Sequence, residues 1–293
     1  MITLLKKAVT GFMRDDAIMM SASLAFYAAL SLAPLLIILV TAAGYFLGDA
    51  REQLLAQAAL LAGSRTRTVV EIILDNVGER QFTGSLSTAV TGVIVLFSST
   101  AVFVHLRKSM NRIWGVEAES RRGLLYGLIR GRLLSIAMVA FIGGVLAISF
   151  FASATMNLLI PETHTLWRYV NHISSFFIFV LLFATVFRYL PDIRMRWRDV
   201  FGGALVTAFL FELGKRGISL YLGTSGIGSV YGAMGSLIVM LIWIYYSSVI
   251  FFFGVELTHA YTCTYGAGAV PTHHARFARD DGCSRDPRRG GTR

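Results

Sequence analysis

The chain has 293 residues, 55% of them hydrophobic and only 15% charged, with 27 Lys and Arg against 17 Asp and Glu for a net charge of +10. A soluble domain carries about 25% charged residues, so these proportions exclude an ordinary water-soluble enzyme, and a mean hydropathy of +0.63 excludes intrinsic disorder. Two cysteines, five prolines and no period-seven charge pattern exclude disulfide-stapled, collagen-like and coiled-coil chains, which leaves an all-α polytopic membrane protein.

In chain order, residues 1–20 form an arm in which Ile2, Leu5, Val9, Phe12 and Met13 oppose Lys6, Lys7 and Arg14, a spacing that predicts an amphipathic helix on the inner membrane face. A membrane-crossing helix needs roughly 20 mostly apolar residues. Residues 21–262 offer six such spans, at about 22–47, 84–106, 133–160, 169–190, 200–222 and 230–257, and so predict a six-helix bundle. The first lies in a run without charge from Ala17 to Gly48, longer than the ~7–15 apolar residues of a cleavable signal. Pro34 at its midpoint lacks a backbone donor and predicts a kink or hinge. Before the second span, Val69, Val70, Ile73, Leu74 and Val77 recur at helical spacing and predict another interfacial helix.

Pro161 and Pro191 stop the third and fourth spans. The fifth and sixth are joined by the Gly/Ser turn at 223–229, which makes them antiparallel neighbours. Gly228, Gly232 and Gly235 at the start of the sixth span suit close backbone packing. The basic tail, 263–293, lacks apolar periodicity and is expected to be disordered.

Orientation follows from basic residues on alternate sides. The arm carries three, the second loop seven, the fourth loop four and the tail six, against four, one and two on the opposite side. This asymmetry places both termini of a multi-pass membrane protein in the cytoplasm, where Cys263 and Cys283 are expected to be reduced. The same arithmetic accounts for the basic clusters without nucleic acid, and the second loop suits anionic lipid headgroups.

Charges within spans are costly and point to function. The fifth span holds Glu212, Lys215 and Arg216, with the carboxylate three and four residues before the two cations. Two readings compete: an internally compensated cluster, or a site for an anionic group with net positive charge left over. Trp243 and Tyr246, three apart in the sixth span, either line a cavity or pack in the core. Glu256 near the inner end of that span is a proton site or, on the simpler reading, an ion-pair partner of Arg107 or Arg112. Six scattered histidines, with no metal-ligand spacing, phosphate loop or dinucleotide fingerprint, predict no metal, no cofactor and no catalytic residue.

The strings Leu24-Ala-Phe-Tyr-Ala-Ala-Leu-Ser-Leu-Ala-Pro-Leu35, Met110-Asn-Arg-Ile-Trp-Gly115, Arg188-Tyr-Leu-Pro-Asp192, Phe211-Glu-Leu-Gly-Lys215 and Tyr231-Gly-Ala-Met-Gly-Ser-Leu237 resemble the YihY/BrkB family of bacterial inner-membrane proteins. So does Leu241-Ile-Trp-Ile-Tyr-Tyr-Ser-Ser248 through Gly254-Val-Glu-Leu257, and the likeness covers roughly residues 5–262. The resemblance implies a six-span protein without agreed catalytic residues. Some members carry the label ribonuclease BN, but the tRNA-processing enzyme of that name is a soluble zinc hydrolase with a histidine-rich motif that this sequence lacks. Links between relatives and lipid A-type glycolipid or envelope lipid imply movement of an anionic amphipath; the charges within the fifth span then offer Lys215 and Arg216 as headgroup contacts and Glu212 as their counter-charge or a proton site. Anionic membrane lipids, and proteins of envelope-lipid transport, are the expected partners. A non-transporting scaffold for envelope assembly is the alternative from another class, and a tRNA-processing ribonuclease the disfavoured third.

Overall fold

The computed structural model describes residues 2–31, 101–118, 165–224, 232–266, 268–272 and 275–278, with the single residues Leu55, Glu71, Ala137, Ala140, Phe141, Gly144 and Cys283. Among them the chain is mostly helical: α1 (Ile2–Arg14), α2 (Ala17–Ser31), α3 (Ala101–Ile113), α4 (Thr165–Tyr189), α5 (Trp197–Thr224) and α6 (Gly232–Thr264). Four short strands accompany them, β1 (Val116–Ala118), β2 (Ile193–Arg194), β3 (Val270–Pro271) and β4 (Ala275–Phe277). One stretch among the described residues, Ile238–Thr264 within α6, is long and apolar enough to cross a membrane, while Ala17–Ser31 and Phe176–Tyr189 are apolar but shorter. The predicted arm is α1, and α4, α5 and α6 carry the last three predicted spans. Pro34, Gly228, the interfacial helix near Val69 and most of the first three spans lie outside the described residues.

Two compact units are present, one of Met1–Ser21, Val104–Glu212 and Val249–Arg293, the other of Ala22–Phe103 and Leu213–Ser248. In the first, α4, α5 and α6 share an aromatic core. The Phe187 and Phe251 rings stand edge to face at 5.1 Å, and Phe183 lies 5.8 Å from Phe211. The opposite faces are exposed and apolar: Ile173, Phe177 and Leu181 on α4, and Phe201, Leu205 and Phe209 on α5, each series at every fourth residue. Such continuous stripes are costly in water and belong against lipid or a partner.

Helices α5 and α6 approach through a reciprocal arrangement of Gly-x-x-x-Thr pairs. A Cβ placed on Gly203 would lie 1.8 Å from the Thr258 hydroxyl, and one on Gly254 1.8 Å from the Thr207 hydroxyl. Each threonine donates to the carbonyl four residues back, Thr207 to Gly203 at 2.7 Å and Thr258 to Gly254 at 2.8 Å. The hydroxyls are thereby satisfied within their own helices, and the glycines let the backbones close in.

The tail from residue 263, expected to be disordered, is instead ordered in its described part, which carries β3 and β4. Gly115 ends α3 in a left-handed conformation (φ 60°), which glycine adopts at no steric cost, and turns the chain into β1. β1 pairs antiparallel with β4 (Glu117 opposite Arg276), and β2 with β3 (Ile193 opposite Pro271). Cys263 and Cys283 are joined by a disulfide, against the expectation of two free thiols. The tail gains order by adding backbone hydrogen bonds to strands that follow α3 and α4, and ladder pairing of that kind needs no apolar periodicity in the tail itself.

In the second unit the Tyr246 ring covers Gly214, where a Cβ would come within 2.2 Å of its Cε1.

Candidate functional site

The site grows from the packing of α1 on the C-terminal half of α6. Ala8, Gly11 and Phe12 are the buried residues of α1. Ala8 joins Leu257 and Ala260 in a small core against which Leu4 and Phe253 pack, and Phe12 meets Phe253 edge to face at 6.1 Å. Ile2, Leu5, Val9 and Met13 stay exposed on the other side of α1, a third apolar stripe, of the kind that immerses a helix in the membrane interface. The helix ends where Asp16 takes a positive φ of 54°, and Asp16 then accepts the first backbone bond of α2, from Met20 at 3.0 Å. Arg112 reaches the Asp16 carboxylate at 3.1 Å.

Glu256 is the centre of the packing. It is 1% exposed, and its carboxylate lies directly against the α1 backbone: a Cβ on Gly11 would sit 2.4 Å from Oε2 and 3.1 Å from Cδ. His259, one turn on, holds Nδ1 4.0 Å from the same oxygen and stands edge to face with Trp114 at 4.9 Å. Burying a carboxylate is costly unless charge or hydrogen bonding compensates it. The partner is neither arginine named from the sequence: Arg107 binds Asp192 and Arg112 binds Asp16.

A cavity of about 460 Å³ opens beside this pair. Lys6, Lys7 and Arg14 line it from α1; Glu256, His259, Cys263 and Thr264 line it from α6. Lys7 Nζ donates to Thr264 Oγ1 at 3.1 Å, which ties the two helices across one edge. Arg14 is turned toward the buried Asp15 at 3.0 Å. Lys6, Lys7 and Arg14 thus supply the α1 side of the cavity with cationic donors suited to an anionic group, while Glu256 and His259 lie on the α6 side.

The other sequence candidates are placed as follows. Glu212 and Lys215 are half-buried on α5 and Arg216 is exposed. Trp243 is half-buried, and its carbonyl accepts from Ser247 Oγ at 2.8 Å; Tyr246 is exposed at the edge of its packing on Gly214. Gly232 and Gly235 lie in the first turn of α6. The cavity gathers Glu256 from that set and adds Gly11, His259 and Cys263, which sequence reasoning missed. Their signal is the spacing Glu256, His259, Cys263, which puts all three on one helix face.

Among known proteins, the family described as Virulence factor BrkB matches residues 8–279. A UPF0761 membrane protein of Legionella pneumophila is 26% identical over 260 residues, 86% of this chain and 60% of that protein. UPF0761 membrane proteins of Pseudoalteromonas atlantica (26% identical; 84% of this chain, 81% of the relative) and Vibrio atlanticus (28%; 87% and 85%) are similar over most of both chains. The chain therefore spans less than two thirds of the Legionella relative and most of the other two. No solved structure matches it.

Proposed function

Starting from a chain that belongs to the Virulence factor BrkB family of membrane proteins, we propose that it is a six-span inner-membrane protein that moves, or helps to move, an anionic envelope lipid. The single observation that carries this reading is the cavity between α1 and α6, with Lys6, Lys7 and Arg14 across from Glu256. With both termini cytoplasmic, the cavity opens at the inner face, where an anionic headgroup meets the cations. The exposed stripe of Ile2, Leu5, Val9 and Met13 then seats α1 among the acyl chains. Lys215 and Arg216, near the other end of α5, serve as the second headgroup contact and Glu212 as their counter-charge. Pro34 and the glycines at 228, 232 and 235 supply hinge and packing positions, and Trp243 and Tyr246 line the path. The reading assigns no catalytic step and no nucleotide, so the work of transport comes from an ion gradient, with Glu256 as the proton site, or from a partner protein.

The test is lipid binding by the purified protein. Wild type should bind vesicles containing phosphatidylglycerol over phosphatidylcholine alone and retain acidic lipid in native mass spectrometry. The triple variant Lys6→Ala, Lys7→Ala, Arg14→Ala should lose that preference. An unchanged preference in a correctly inserted triple variant overturns the assignment.

A further inference from the structure

The disulfide brings together more than two cysteines. His259 lies one turn before Cys263 on α6, and the ligand atoms of His259, Cys263 and Cys283 all fall within 4.8 Å of one another. His259 and Cys283 are buried and Cys263 is half-buried. In an oxidising compartment such a cysteine pair is a staple, but in a reducing one cysteines with a neighbouring histidine read as metal ligands. The distribution of basic residues is the pattern expected of a cytoplasmic end of α6.

We propose that in the reduced protein His259, Cys263 and Cys283 hold a Zn2+ ion that pins the tail to α6. A cellular dithiol supplies the two electrons and two protons that convert the Cys263–Cys283 disulfide into two thiols, itself becoming a cyclic disulfide. Zn2+ then displaces both thiol protons to solvent and takes two thiolates and one imidazole, with a water as fourth ligand. Zn–S bonds of about 2.3 Å and a Zn–N bond of about 2.0 Å require ligand atoms roughly 3.5–3.8 Å apart in a tetrahedral site, so the two sulfurs, bonded to each other in the oxidised form, part on reduction to admit the ion while the imidazole stays within 4.8 Å of them. Two soft thiolates with an imidazole favour zinc over magnesium or calcium, which take oxygen ligands. Glu256, beside His259 Nδ1, stands where carboxylates orient metal-binding imidazoles. The cavity gives the ion a route, since His259 and Cys263 line it. The proposal is independent of lipid binding: disulfide and zinc are alternative clamps on the same tail, exchanged by redox state.

The experiment uses untagged full-length protein in detergent, reduced by a phosphine, titrated with Zn2+ against a chromophoric chelator and, separately, with Co2+. One Zn2+ per chain and a thiolate-to-cobalt charge-transfer band are expected, and both should vanish in Cys283→Ser and in His259→Ala. The oxidised wild type should bind none, which tests the assignment without any substitution. The variant His273→Ala, His274→Ala should bind as wild type does. Reduced wild type without stoichiometric zinc, or Cys283→Ser that keeps the charge-transfer band, overturns the proposal.

Discussion

Arg107 and Asp192, 85 residues apart, form a two-pronged ion pair, with Nη2 donating to Oδ1 at 2.5 Å and Nε to Oδ2 at 3.2 Å. Asn111 completes the clamp, donating to Oδ2 at 2.8 Å and accepting the Asp192 backbone N–H at 2.9 Å. The Asp192 carbonyl accepts from Thr272, so the same residue anchors the tail. The two side chains are 15% and 6% exposed, which leaves little solvent to take over if one is removed.

Breaking a buried pair from one side costs ~3–5 kcal/mol. Asp192→Ala should therefore lower thermal stability markedly in detergent, read as the temperature of half-aggregation. Arg107→Lys, with Asp192 intact, should keep only part of the pair's contribution, because an ammonium cannot make the forked contact. The double variant Arg107→Leu, Asp192→Leu should be less damaged than either single leucine variant. A wild-type melting temperature for Asp192→Ala would remove the clamp from the account of stability.

Gly11 is required by the Glu256 carboxylate, and the two should be energetically coupled. Gly11→Ala forces the carboxylate away from α1, at a cost of roughly 1–3 kcal/mol for overpacking. In a Glu256→Ala background the same change should cost far less, and a double-mutant cycle reads the difference as coupling. Limited proteolysis of the N-terminal arm gives a second readout, since a displaced α1 is cut faster. Strict additivity would show that the contact carries no energy.

The crossing of α5 and α6 predicts a size rule. Gly203→Val or Gly254→Val should destabilise the pair by ~1–3 kcal/mol or more through forced separation, whereas Thr258→Ala should partly rescue a bulkier residue at 203. Equal stability of Gly203→Val and wild type would place the close approach elsewhere.

The cationic cavity predicts graded, salt-sensitive binding. Each of Lys6 and Lys7 should contribute about 1 kcal/mol to anionic-membrane affinity, roughly a fivefold change per alanine substitution, with the effect shrinking as salt rises. By contrast, Lys215→Ala and Arg216→Ala should weaken vesicle binding less than the α1 substitutions do and slow transfer of anionic lipid between leaflets. Unaltered transfer in correctly inserted Lys215→Ala and Glu212→Gln proteins would remove α5 from the substrate path.

Much of the helical framework is legible along the chain because each signal is local. The opposition of Lys6 and Lys7 to Leu5 and Val9 announces α1; Pro191 announces the end of α4; the long apolar run after Gly232 announces α6. Glu256 stood out for the same reason, as a single carboxylate in an apolar helix. Its surroundings did not, because Gly11 and Trp114 come from segments far away in the sequence, and helix period carries no information about which segment will lie opposite. Arg107 and Arg112 were the natural partners by charge alone, yet carboxylates at Asp192 and Asp16 hold them.

Composition and hydropathy by themselves determined that this is a helical membrane protein, since burial in lipid acts on each segment independently of the others. Tertiary structure decided what those segments bring together: the Gly11–Glu256 contact, the reciprocal threonines over Gly203 and Gly254, the clamp on Asp192, and the meeting of His259, Cys263 and Cys283. Each depends on residues from different parts of the chain reaching one point in space. The tail shows the difference most clearly, because its order comes from pairing and a covalent link to distant residues rather than from any pattern of its own.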